Sequence, residues 1–229
     1  MSITKLGENE MSTYFKAVRS DGTDFRTGTI DYAAALGGEP ITLPEVPDPE
    51  CCTSTVLHAS TVPTETLVGG SWPCRLFEVT GTPVAEKGCK RGFFSLAVVR
   101  EIDAHQALGP QGEQVAALVD RSGKLTVDEA KKLDAALVAA DQGDQGGAWD
   151  AAWTAAWVAA DRDARGATRD AAWDAAARGA AARGAAWDAA LALVVRDLIT
   201  KEHYDLLTGP WAQVIGPAHP DDPTREDTP

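Results

Sequence analysis

The chain has 229 residues and a mass of 24.1 kDa, 44% hydrophobic and 24% charged, so it can bury a sizeable core without disulfide or metal staples. Acidic residues number 34 against 21 basic ones, a net charge of -13 that repels phosphate backbones, so nucleic-acid coating is not expected. No apolar run approaches the ~20 residues of a membrane span, and the first residues lack the apolar segment of a signal peptide. The expected location is therefore the cytoplasm.

Residues 1–11 read as a flexible leader, with Met11 an alternative start. Residues 12–108 read as a small α+β domain with an antiparallel sheet. Tyr14–Arg19 alternates apolar and polar positions and predicts a strand, followed by a Ser20–Asp24 turn and a hairpin partner at Phe25–Ile30. Asp31 is a candidate cap for a short helix stopped by Gly37-Gly38, and Pro40, Pro44, Pro47 and Pro49 predict an extended loop. Pro63 opens one helical turn over Thr64–Leu67. Cys74–Thr80 predicts a strand, and Arg91–Ile102 predicts a long one buried on both faces.

Residues 109–125 read as a linker. After it, Thr126-Val127-Asp128-Glu129 is a capping box, and Ala130, Leu133 and Leu137 recur at helical spacing, predicting a helix over 127–140. Residues 126–215 then form an Ala/Trp-rich helical region, expected to be an antiparallel bundle. From Ala148 to Leu207 there are 22 alanines, with Trp149, Trp153, Trp157, Trp173 and Trp187 among them. Treated as one helix from Thr168, Trp173, Gly184, Trp187, Leu191 and Leu198 fall within about 40° of one face. Asp161/Arg165 and Asp174/Arg178 are i,i+4 pairs suited to a solvated face. Each indole buries roughly 150–250 Å², so the tryptophans should pack within the chain, against a second copy or against a protein partner. Thr200 caps a last helix, 201–207, stopped by Gly209-Pro210, with Trp211 and Ile215 folding back; residues 216–229 read as a disordered tail.

Cys51, Cys52, Cys74 and Cys89 lack the paired spacing of a zinc site and read as free thiols, so no metal and no cofactor is expected. The segment Val56–Thr61 places His58, Ser60 and Thr61 at a strand end. If the sheet brings Arg19, Glu65, Arg75 and Arg91 near them, the group suits a phosphate-bearing, nucleotide-like ligand. The candidate binding residues are therefore His58, Ser60, Thr61, Glu65 and Arg75. No phosphate loop, zinc-protease, nucleophile-elbow or kinase motif occurs, so no catalytic residue is assigned.

Tyr14–Ala17, Leu57–Ser60, Trp72–Val79 and Val98–Ile102 together resemble a small domain of unknown function carried by bacteriophages and prophages, especially those of actinobacteria. The resemblance covers roughly residues 12–108, and it implies a helical tail and a place in phage–host biology. Three functions follow as expectations. The first is a non-enzymatic accessory protein that binds a host or phage partner, including in counter-defence. The second is a module that sequesters a nucleotide-like signal. The third is an ADP-ribosyltransferase-like enzyme, echoed by the strand-end His-x-Ser-Thr with a nearby glutamate.

Overall fold

A computed structural model describes residues 12–142, 146–179 and 183–223; the expected leader lies outside them. Among the described residues a seven-stranded antiparallel sheet in the N-terminal half is followed by six helices, an α+β fold. The strands are β1 (Thr13–Arg19), β2 (Ile41–Thr42), β3 (Leu57–Ser60), β4 (Cys74–Thr80), β5 (Ala85–Lys87), β6 (Lys90–Phe93) and β7 (Ser95–Ile102). Their order across the sheet is β2-β7-β4-β1-β3-β6-β5.

The run read as one long strand is two. Only Phe94 separates β6 from β7, yet β3, β1 and β4 lie between them in the sheet. The chain therefore bends at Phe94 and joins the two sides of a curled sheet, which wraps a core of Tyr14, Val18, Phe77, Phe93 and Leu96. Nor is β7 buried on both faces. Strand β2 pairs only with Leu96 and Ser95, and Val99 is 48% exposed. The expected hairpin at Phe25–Ile30 is also absent: this stretch is a turn network around Asp24, and Thr23–Asp31 is a lone bridge. At 32–35 the chain makes a turn instead of a helix, although Asp31 Oδ1 does accept the Ala34 amide at 2.9 Å. The turn behind Pro63 forms as expected, as a 3-10 turn over Pro63–Glu65.

The other face of the sheet, including Ala17, Cys74 and Leu76, shares one continuous core with the helices. These are α1 (Gly112–Ser122), α2 (Val127–Gln142), α3 (Gly146–Arg162), α4 (Gly166–Gly179), α5 (Arg183–Val194) and α6 (Lys201–Val214). The segment 109–125 is thus not a linker: it carries α1, with Val115 fully buried and Leu118 nearly so. The capping box forms as read, Thr126 N–H donating to Glu129 Oε2 at 2.8 Å and Glu129 N–H to Thr126 Oγ1 at 3.2 Å.

Helix α5 lies at the centre of the bundle. Ala185, Ala186, Ala189, Ala190, Leu191, Ala192 and Leu193 are all at most 2% exposed, as a helix with apolar residues on nearly every face requires. Helices α4 and α5 are separate, so the single continuous face from Thr168 does not exist. Arg165 is not on a solvated face either. It is 6% exposed and gives two hydrogen bonds to Asp197, at 2.6 and 2.8 Å, and one to the Val194 carbonyl at 2.8 Å. The Asp174/Arg178 pair lies outside the described side chains.

Helix α6 continues through Gly209-Pro210. Pro210 costs one backbone hydrogen bond, but Leu207 and Trp211, four apart on one face, are both buried, and that burial outweighs the roughly 3 kcal/mol penalty. Part of the expected tail is also ordered. His219 is 8% exposed, its Nε2 lies 3.0 Å from Gln111 Oε1, and Tyr204 Oη donates to Asp222 at 2.8 Å.

Candidate functional site

The sheet has a split. Strands β1 and β3 are in register only at Phe15 and Ser60, and they diverge beyond that pair. The split opens into a cleft of about 620 Å³, within the range of small-molecule sites. Lys16, His58, Ser60 and Glu65 line it from the strands and the 3-10 turn, Asp24 to Tyr32 from one loop, and Cys52 to Val56 from another.

Asp24 builds the first loop. It is 5% exposed, and its carboxylate accepts from Thr27 N–H and Oγ1–H, both at 2.7 Å, Thr29 N–H at 3.1 Å and Ile30 N–H at 3.0 Å. Burial alone would raise its pKa, but these donors outweigh it and hold the carboxyl at about 2. His58 builds the second loop. Its Nε2 accepts the Cys52 amide at 2.7 Å, steadying a residue held in the left-handed region at φ 71°. Burial, reinforced by Lys16, Lys90 and Arg26, lowers the imidazole to about 4. It is neutral at physiological pH, with its acceptor nitrogen already engaged. Cys52 also gathers two cations at the rim: Arg26 Nη1 lies 3.4 Å from its carbonyl and Lys90 Nζ 3.9 Å from its sulfur.

Lys16 sits deeper, its Nζ 5.1 Å from the centre of the Tyr32 ring. Among the described residues no acceptor lies within hydrogen-bond distance of this amine and no carboxylate within ion-pair distance of Lys16, Arg26 or Lys90. Burial lowers the Lys16 amine to about 8, Asp24 pulling it back upward and Lys90 adding to the fall. Phe15, Phe25 and Tyr32 supply aromatic surface in the same cleft. A chain with a net charge of -13 thus places three cations, which have no ion-pair partner among the described residues, around one opening that the carboxylates of Asp24 and Glu65 also line.

Of the residues singled out from sequence, the structure brings His58, Ser60 and Glu65 together here and leaves out Thr61 and Arg75. Thr61 donates its amide to the Cys89 carbonyl at 2.9 Å. Arg75 pairs with Glu101 across β4 and β7 through two hydrogen bonds of 2.8 and 2.7 Å. Arg19 donates to the Phe25 carbonyl, and Arg91 to the Gly88 and Lys90 carbonyls. Glu65 is partly spent elsewhere, its carboxyl accepting the Ala167 amide at the start of α4; burial raises its pKa and that amide opposes the rise. Lys16, Arg26, Lys90 and Asp24 were missed. The one local signal for Lys16 is its place between Tyr14 and Val18, two positions away on either side and so on the same, buried face of the strand.

The tryptophans form a second polar–aromatic cluster. Trp149 is 6% exposed, while Trp153, Trp157, Trp173 and Trp187 are half-buried against one another. Trp153 stacks on Trp157 at 4.9 Å, and Arg169 lies 3.7 Å above the Trp157 ring. Asp188 is 7% exposed and receives a hydrogen bond from Trp153; burial raises its pKa to about 7 and that bond opposes the rise. The Trp187 indole nitrogen is buried without a hydrogen-bond partner among the described residues.

No group of metal-ligating side chains occurs among the described residues, and no helix is long and apolar enough to cross a membrane. Comparison with protein families, curated proteins and solved structures gives no match.

Proposed function

We propose that this chain is a binding protein whose cleft between β1 and β3 sequesters a phosphorylated small molecule of nucleotide size. The observation that carries this reading is the Lys16 amine, half-buried at the cleft over the Tyr32 ring and, among the described residues, without a hydrogen-bond or ion-pair partner. Asp24 attracts this amine only from a distance, an ammonium taken out of water without a contacting counter-charge is costly, and an anionic ligand offsets that cost. Arg26 and Lys90 add the charge that a phosphate group needs, and the partly exposed rings of Phe15 and Phe25 offer aromatic surface for a base. Sequestering a host signal is also how the phage accessory protein implied by the sequence resemblance would act without catalysis. The engaged Nε2 of His58 favours binding over acid–base chemistry.

Thermal melting against a panel of nucleotides, sugar phosphates and their dephosphorylated counterparts tests this reading. A phosphorylated member should raise Tm, its dephosphorylated form should not, and Lys16→Met and Arg26→Ala should abolish the rise. A panel without any effect on the wild type, or a rise unchanged in both variants, would overturn it.

A further inference from the structure

We propose that Lys16 is a covalent capture site, its amine condensing with the carbonyl carbon of an aldehyde or ketone whose phosphate is held at the rim by Arg26 and Lys90. The inference rests on the reading of the cleft as a site for phosphorylated ligands and adds a chemistry to it. The geometry divides the cations between two tasks. Arg26 and Lys90 converge on Cys52 at the rim, where a phosphate reaches both. Lys16 lies over the Tyr32 ring instead of on Cys52, and among the described residues no acceptor occupies its amine. Its charged neighbour Asp24 is committed to Thr27, Thr29 and Ile30, so it does not tie the amine down as an ion pair.

Desolvation supplies the nucleophile. With the amine lowered to about 8, roughly half of the Lys16 side chains are neutral at pH 8, against roughly one in three hundred for an ordinary lysine. The nitrogen lone pair forms a C–N bond to the carbonyl carbon, and the C=O π pair moves onto oxygen. The protons lost by nitrogen pass to that oxygen, the C–O bond breaks, and water leaves a C=N bond behind. No oxidant or reductant is consumed, and hydrolysis returns both partners, so capture is reversible.

Pyridoxal 5′-phosphate is the probe, a small aldehyde bearing a phosphate, followed by borohydride reduction and peptide mass mapping of the full chain. The expected result is one reduced adduct on the peptide containing Lys16, formed more readily as pH rises through about 8. Unphosphorylated pyridoxal should label this position at least tenfold less, and Lys16→Arg, shown folded by its circular dichroism, should take no adduct there. Adducts spread over surface lysines with Lys16 unmodified would overturn the proposal. So would equal labelling of Lys16 by the two aldehydes. Wild-type protein that melts higher with a nucleotide yet takes no adduct at Lys16 removes the covalent step and leaves the cleft reading standing.

Discussion

Trp173 stacks on Trp187 with ring centres 4.3 Å apart and planes 23° from parallel, although they lie fourteen positions apart in the chain. On one continuous helix that spacing would be about 21 Å of rise, so the stack exists only because α4 and α5 are separate helices laid against each other. Trp173 also meets Trp153 and Trp157 edge-on at 6.3 and 5.8 Å, which makes it the hub of the cluster. Trp173→Ala should therefore cost about 2–3 kcal/mol in urea unfolding, below the fully buried value because the ring is half-exposed. A double-mutant cycle with Trp187→Ala should return a coupling of about 0.5–1.5 kcal/mol. Trp187→Phe should cost less than Trp187→Ala, since it retains a ring and removes the unpartnered indole N–H.

The contrast between α2 and the α4–α5 break shows which features were legible in the sequence. Strands β1 and β4 and the start of α2 were readable because alternation and a capping box are local signals, complete within a few residues. The end of α4 was hard to read because Gly179 is a single glycine in an alanine-rich run, and the high helix propensity of alanine masks so weak a stop. Gly209-Pro210 gave the opposite error, since burial of Trp211 overrides a local stop. The cleft was half visible. His58, Ser60 and Glu65 are legible by their chemistry, but the cleft depends on the divergence of β1 from β3, whose paired residues Phe15 and Ser60 are distant in sequence. Arg75 was misplaced for a related reason: its partner Glu101 comes from a strand that pairs with β4 only after the chain bends at Phe94.

Arg165 joins the ends of two helices, with Asp163 at 2.9 Å, Asp197 at 2.6 Å and the Val194 carbonyl at the C-terminal end of α5. Arg165→Ala should lower stability by about 2–3 kcal/mol, because it leaves that buried carbonyl unsatisfied and Asp197 without its donor. Arg165→Lys should recover only part of the loss, since an ammonium cannot give the paired hydrogen bonds that the guanidinium gives Asp197. Chemical unfolding of the two variants checks the order.

Asp24 should couple the cleft to the fold. Asp24→Ala releases the donors of Thr27, Thr29 and Ile30 together, and about 2–3 kcal/mol of stability should go with them. Because the folded carboxyl is held at about 2, below its ordinary 3.8, its contribution is fully present above pH 4 and is lost as pH falls toward 2. Thermal melts of wild type and Asp24→Ala should therefore differ most at neutral pH and converge in acid. The variant should also lose the Tm rise expected with phosphorylated ligands, because the Asp24–Tyr32 wall of the cleft loosens.

Asp188 should act in the opposite sense. It is the one acid on α5, the helix at the centre of the bundle, and Trp153 is its hydrogen-bond donor. The folded carboxyl sits at about 7 against 3.8 when free, so between these values the native state holds a proton that the unfolded chain has released. Stability must then fall as pH rises from about 4 to about 7 and level off above, by up to about 4 kcal/mol. Asp188→Asn keeps the shape and an acceptor for Trp153 but carries no charge at any pH. It should be more stable than wild type at pH 8, equal to it near pH 4, and free of the intervening slope. Urea unfolding of both proteins across that range measures the difference directly, and a gap that stays constant from pH 4 to pH 8 would mean that Asp188 remains ionised in the folded bundle.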